Sequence, residues 1–264
     1  MQLELLDVRF RYNSHPILEG VSMTVDPAQI VAVCGPNGVG KSTLIKCINR
    51  ILKPEGAVWL DAQETRRMPL RRIARRIGYV PQDLGALLGV TVFDLVLMGR
   101  RPHLQWRTCA RDEVKVFEAL ERMGISALAL RDINQLSGGQ RQKAVIARAL
   151  AQEPELLLMD EPTSNLDLRH QLEVMALLKS MVAEQKLSAL MAVHDLNLAS
   201  RYADKLIMMK NGAIYGAGTP SEVLTPSNIL SVYGVVAEVK QEQGRPYVVP
   251  IRHAPAHGAD SPDG

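Results

Sequence analysis

Between two apolar segments the chain reads Gly35-Pro36-Asn37-Gly38-Val39-Gly40-Lys41-Ser42-Thr43, which carries the GxxxxGK[ST] spacing. That pattern suits a chain of phosphates. Its glycines let the backbone curl so that several N–H groups point inward, and a helix beginning at its end adds positive potential. Lys41 has the reach to meet β- and γ-phosphates, and the Ser42 hydroxyl can ligate Mg²⁺. A flexible glycine turn ahead of a helix is the plain alternative. The complete motif, set between the apolar run Ile30–Cys34 and a helix-patterned stretch, argues against it.

A second chemical feature lies far along the chain. Leu156-Leu157-Leu158-Met159 runs directly into Asp160-Glu161, so a buried strand delivers two carboxylates at its carboxyl end, where open α/β sheets bind ligands. Asp160 is placed to hold a metal's water shell and Glu161 to polarise an attacking water. Two acids ending a strand can also be a solvated strand end, and it is the phosphate loop that tips the balance. Ser137-Gly138-Gly139-Gln140 precedes a helical stretch, with Ser137 as a natural N-cap and glycines that admit a phosphate close to free N–H groups. His194 follows another strand-like run and can hydrogen-bond a γ-phosphate, although a lone histidine is more often structural. Gln82, just past Gly78-Tyr79-Val80-Pro81, can offer a side-chain oxygen to a metal. Tyr12 can stack on a base or simply pack in a strand.

The elements that must hold these groups follow from periodicity. Alternation in Leu3–Phe10 and Ile17–Val25 predicts two strands joined across Asn13–Pro16. Ile30–Cys34 has the continuous apolar look of a strand buried on both faces, and a helix is expected from about Lys41 to Leu52. A strand at Ile77–Pro81 precedes a mostly helical insertion from about Gln82 to Gln135, whose apolar spacing is helical, as in Val114, Phe117, Leu120 and Gly124. Strand-like runs return at Leu156–Asp160, Ala189–Val193 and Lys205–Met209. Between them Val174, Met175, Leu178, Met181 and Val182 stripe a helix over Arg169–Glu184. This alternation implies an α/β fold with a largely parallel sheet.

Bulk composition narrows the function. A net charge of +3 and an aromatic share of 4% speak against nucleic-acid binding and base stacking. Cys34, Cys47 and Cys109 form no CxxC pair, which fits reduced thiols. The amino terminus lacks the pattern of a signal peptide, and no uninterrupted apolar run has membrane length. Any membrane role is therefore expected through a partner. Arg66, Arg67, Arg71, Arg72, Arg75 and Arg76 are read as coating the exposed side of a helix whose Leu70, Ile73 and Ile77 face inward, with attraction to an acidic leaflet as the alternative. Met159, Met191, Met208 and Met209 are read as core filler, and His253 and His257 carry little weight.

In this order, the phosphate loop, Gln82, Leu136–Gln140 with Arg141-Gln142, Leu156–Glu161, Ser164-Asn165-Leu166-Asp167 and His194 resemble the ATP-binding subunit of ABC transporters over residues 1 to 235. The resemblance implies a P-loop NTPase core with an amino-terminal antiparallel β subdomain and an inserted helical subdomain at about 83–150. The whole ATP-binding domain is expected over 1–251, before a disordered tail at 252–264. It further implies ATP and Mg²⁺ as ligands, Tyr12 as the adenine-stacking residue, Gly35–Thr43 as the phosphate loop and Ser42 with Gln82 as metal ligands. Glu161 becomes the catalytic base and His194 the switch histidine. Ser137, Gly138, Gly139 and Gln140 would contact ATP held by a second copy in a head-to-tail dimer, while the helical insertion passes motion to a permease.

Met98–His103, His194–Asn197, Tyr202–Asp204 and Gly218–Leu224 look like importers of iron–siderophore, haem or cobalamin, working with a permease and, indirectly, a substrate-binding protein at the cytoplasmic face of the membrane. No added regulatory domain is expected after about residue 250. A soluble ATPase of the same type, such as an iron–sulfur assembly factor, is the competing reading. The chain departs from the family's pattern at Ala28-Gln29, where Gly-Glu is usual, and at Ala62, where glycine is common.

Overall fold

The computed structural model describes residues 1–254 apart from 86–87, 105–106, 165 and 186. Strands β1 (Leu3–Tyr12), β2 (His15–Val25) and β3 (Ile30–Cys34) lead into helix α1 (Lys41–Ile48). Then come β4 (Glu55–Leu60), β5 (Gln63–Glu64), α2 (Leu70–Arg76), β6 (Ile77–Val80), α3 (Val92–Leu97), α4 (Ala110–Arg122) and α5 (Gly138–Leu150). The order continues through β7 (Leu156–Asp160), α6 (Leu168–Gln185), β8 (Ser188–Ala192), α7 (Leu196–Tyr202), β9 (Lys205–Lys210) and β10 (Ala213–Gly218). Last are α8 (Pro220–Val223), α9 (Pro226–Tyr233), β11 (Val235–Glu242) and β12 (Arg245–His253).

The central sheet has the order β10-β9-β3-β8-β7-β6, with every pair parallel except β10 against β9. Its strands separate two cores by simple alternation. Val31, Val33, Leu156, Leu158 and Leu190 face the antiparallel sheet β2-β1-β4-β5 and α1. Ala32, Cys34, Leu157, Met159 and Met191 face the helical side, where Val174, Met175, Leu178, Met181 and Val182 form the stripe expected of α6. Met159, Met191, Met208 and Met209 are buried at 0–1% exposure and are core residues. Cys34 and Cys47 are buried among apolar atoms, which pushes both thiols up to about 12, while Cys109 is exposed.

Three expectations need correction. Helix α1 ends at Ile48, four residues early, because Arg50 turns left-handed (φ 57) and Ile51 N–H reaches back to the Lys46 carbonyl. The Arg50 guanidinium then bonds the carbonyls of Thr65 and Met68 at 2.7 and 2.9 Å, fixing that exit. On α4 the buried face is Asp112, Val116, Ala119 and Leu120, while Val114 and Phe117 stand 54% and 50% exposed. Rotation there is set by Arg100, itself 2% exposed, which pulls Asp112 inward at 3.0 Å.

The arginine run is the third. Ile73 and Ile77 face inward and five of the six arginines are exposed, as expected, but Leu70 lies 62% exposed, and several of the arginines also make specific bonds. Arg71 and Arg75 donate to the Pro102 carbonyl at 2.8 and 2.9 Å, Arg66 to Pro54, and Arg76 to Glu155 and Asp61.

Ala28 takes φ 57 in the turn where the family favours glycine, so this chain holds an alanine in a left-handed conformation there. Strand β12 runs through Arg252 and His253, two residues assigned to the tail by sequence; 255–264, with His257, lie outside the described residues.

Carboxylates in this framework make the fold acid-sensitive. Burial raises the Asp112 carboxyl, but the Cys109 N–H and the Arg100 guanidinium outweigh it and hold the group below 3.8. Arg76 holds Glu155 below 4.5. A depressed folded pKa contributes stability above the unfolded value, and that contribution disappears as pH falls through the folded one. Urea midpoints are therefore expected to change little from these groups above about pH 5 and to drop progressively below about pH 4. Asp112→Asn should flatten that acid limb. An unchanged limb in the variant would remove Asp112 from the account.

Candidate active site

The phosphate-loop residues arrive by the shortest route available, from the end of β3 into α1. Gly40 is the N-cap, at φ 108, and has no side chain to occupy the first helical N–H groups. Those of Lys41, Ser42 and Thr43 therefore lack an intrahelical acceptor and form a cradle for anionic oxygens. A Cβ on Gly40 would lie 2.9 Å from the Ile17 carbonyl, so glycine is required for the approach of β2 as well. Lys41 is only 5% exposed and bonds the carbonyls of Gly35 and Pro36 at 2.8 and 3.1 Å, staking the curl of the loop. Burial lowers its pKa, and Glu161, Cys34 and Asp160 oppose that shift. Pro36, Asn37, Gly38 and Val39 line a cavity of about 400 Å³ together with Pro16, Ile17 and the turn Lys210–Gly212.

Strand β7 brings its two acids beside this loop. Ser42 Oγ donates to Asp160 Oδ1 at 2.7 Å, and Asp160 is buried, with its carboxyl raised by that burial and by Glu161 while the serine bond opposes. Glu161 N–H bonds the Ala192 carbonyl at 3.1 Å, which ties the acid to the end of β8. Its backbone is left-handed at φ 51, a rare conformation for a residue with a Cβ. Both carboxylate oxygens are engaged. Gln82 Nε2 donates to Oε2 at 2.7 Å, and His194 Nε2 meets Oε1. Gln82 enters from the end of β6 and His194 from the end of β8, so four parallel strands converge on one point. Immediately past His194, Asp195 caps α7 by accepting from Asn197 and Leu198 N–H at 2.8 and 3.0 Å.

An all-oxygen set of Ser42, Asp160 and the side-chain oxygen of Gln82 suits a hard cation such as Mg²⁺, which retains water and binds through few protein ligands. The His/Cys/Asp/Glu clusters that mark softer metals are not found among the described residues.

Two further groups expected at the site make no hydrogen bond to the phosphate loop. Tyr12, 47% exposed at the end of β1, is braced edge-to-face by Phe10 at 4.9 Å. Ser137, Gly138, Gly139 and Gln140 open α5 with a reciprocal capping box: Gln140 N–H to Ser137 Oγ at 3.3 Å and Ser137 N–H to Gln140 Oε1 at 3.2 Å. Their bonding is local, with nothing from residues 35–43, so within one chain this segment does not complete the phosphate cradle. Asn165 lies outside the described residues. Sequence reading missed His170, whose ring lies against Gly139, and Asp195 as a helix cap; the short spacing Asp195–Leu198 is the signal that marks the cap.

Comparisons with known proteins agree with this geometry. The model of the ABC transporter family matches residues 18–164. An uncharacterised ABC transporter ATP-binding protein of Methanocaldococcus jannaschii is 46% identical over 252 residues, covering 95% of this chain and 98% of that one. The ferric enterobactin transport ATP-binding protein of Escherichia coli is 38% identical over 253 residues, covering 93% of each. Among solved structures, a metal-chelate type ABC transporter in an inward-facing conformation superposes with a TM-score of 0.83 at 30% identity, covering 94% of this chain and 96% of that one. No helix among the described residues is long and apolar enough to cross a membrane. A nucleotide cradle beside a held carboxylate, in a chain matched along nearly its whole length, places this protein in the ABC transporter family as an ATP-hydrolysing, ATP-binding subunit.

Proposed function

We propose that the chain powers uptake of a ferric siderophore, hydrolysing ATP at the cytoplasmic face of the membrane beside a separate permease. The observation that carries the hydrolytic half is the Glu161 carboxylate, gripped at both oxygens by Gln82 and His194 next to the Ser42–Asp160 pair. In this reading Glu161 orients and deprotonates the attacking water. Lys41 and the free N–H groups of α1 bind the phosphates, and Tyr12 stacks on adenine. His194 reports the γ-phosphate. Ser42, Gln82 and Asp160 would hold Mg²⁺, directly or through its waters, and the ion would neutralise phosphate charge as it develops. Because Ser137–Gln140 stand clear of their own phosphate loop, they serve the nucleotide of a second copy, as expected of a family that works in dimers with a permease.

Cargo is the part least encoded in the chain, and support for a siderophore comes from its relatives. The test is uptake of labelled ferric siderophore, haem and cobalamin in cells whose sole copy is wild type or Glu161→Gln. Ferric siderophore uptake is expected to fall to background in the variant, with haem and cobalamin unaffected. Loss of haem or cobalamin uptake instead would reassign the cargo, and equal uptake of all three in both strains would remove the importer role.

A further inference from the structure

Helix α6 carries a histidine that the proposed chemistry leaves unused. His170 is half-buried, and its ring lies flat against Gly139 in the first turn of α5. A Cβ built on Gly139 would sit 2.5 Å from His170 Cδ2 and 2.7 Å from Cγ. The ring is held in that attitude from below. Asp167 Oδ1 accepts both the His170 N–H, at 2.9 Å, and Nδ1, at 2.8 Å, so one carboxylate caps α6 and orients the imidazole together. Asp167 closes the turn that begins at Glu161. Within it, Ser164 Oγ donates to the Glu161 carbonyl at 3.1 Å, and Gln171 Nε2 donates to the carbonyls of Thr163 and Leu166 at 3.2 and 3.1 Å. One turn further on, Lys143 of α5 meets Glu173 of α6 at 3.0 Å, keeping the two helices side by side.

From this stack we infer that His170 is a positioning residue. It seats the amino terminus of α5 on the turn that follows Glu161, so that Ser137–Gln140 and Glu161 move as one rigid piece. The inference rests on the reading of Ser137–Gln140 as facing the nucleotide of a second copy. If so, each chain couples the water-orienting end of its own site to the phosphate-facing end of its partner's. His170 is the bearing between them, and it is the imidazole that demands a glycine at 139.

Non-additivity tests this. The comparison uses purified full-length Gly139→Ala, His170→Ala and the double variant, with steady-state ATPase, its Hill coefficient and nucleotide binding measured on each. Gly139→Ala is expected to cost about 100-fold in kcat, as an ångström-scale displacement of catalytic parts does. His170→Ala should cost about 3–10-fold in kcat and lower the Hill coefficient toward 1, with the affinity for ATP of a single chain unchanged. In the double variant the methyl group finds room, and kcat should return to within about 2-fold of His170→Ala alone.

Losses that simply multiply would overturn the role of His170 while leaving the reading of Ser137–Gln140 in place. Full turnover by Gly139→Ala would sink both. Should Gly139→Ala fail to fold, Asp167→Asn serves instead. It is expected to lower kcat and the Hill coefficient as much as His170→Ala and to add nothing in combination with it. A further loss on combination would overturn the proposal.

Discussion

Replacing Glu161 by Gln is expected to reduce ATP turnover by about 10²–10⁴-fold, the usual worth of a positioned general base, while ATP binding stays within a few-fold of wild type. The side chains are nearly isosteric, and Gln keeps an oxygen for one neighbour and an N–H for the other, so the Gln82 and His194 contacts have a route to persist. What disappears is the capacity to take a proton. Binding should survive because it rests on Lys41 and the free N–H groups of α1, which Glu161 does not touch directly. The closed dimer is then expected to accumulate with ATP, visible as a shift to twice the mass in size-exclusion chromatography. Turnover near the wild-type rate would exclude Glu161 as the base and send the search to His194.

The largest effect on stability is expected at Arg100, remote from the nucleotide. Its guanidinium, 2% exposed, donates to Asp112 at 3.0 Å, to Glu153 at 2.8 Å and to the Ala151 carbonyl at 2.6 Å. It thereby joins the end of the α3 segment, the start of α4 and the end of α5. Arg100→Met keeps the apolar stem but strands the buried Asp112 without its cation, and removing one partner of a buried pair costs about 3–5 kcal/mol. Against the stability of about 5–15 kcal/mol usual for a folded domain, that is a large share. A loss well under about 1 kcal/mol in urea melts would mean that Asp112 protonates or rehydrates cheaply. The double replacement Arg100→Met with Asp112→Leu should recover much of the loss, since no uncompensated charge then remains.

Much of the site was legible because its residues sit where strands end, and strand cores announce themselves. Ile30–Cys34 and Leu156–Asp160 are read at the right bounds since all their positions are buried, and continuous burial leaves a continuous apolar run. The carboxyl-terminal hairpin of β11 and β12 escaped notice for the opposite reason. Its Val235–Glu242 strand mixes Glu238, Lys240 and Gln241 among its apolar residues, because the hairpin leans on α7 through Asn197 instead of entering the sheet. Helix α4 misled in phase, not in existence. Val114 and Phe117 look like core, yet a charged residue, Asp112, marks the buried side, and no hydrophobic count can reveal that its partner Arg100 waits there. The juxtaposition of His170 and Gly139 was likewise hidden, being a contact between helices whose residues are thirty-one positions apart.

The left-handed backbone of Glu161 has a consequence for how such a protein can change over generations. Any residue with a Cβ gives up about 1–2 kcal/mol at that φ, and glycine alone escapes the cost. A chain selected only to fold would therefore drift toward glycine at 161 and become sturdier as it became inert. On the proposed role of Glu161, an acid at this position trades backbone ease for turnover, and a glycine there in a duplicated copy would be the mark of a cassette released from hydrolysis.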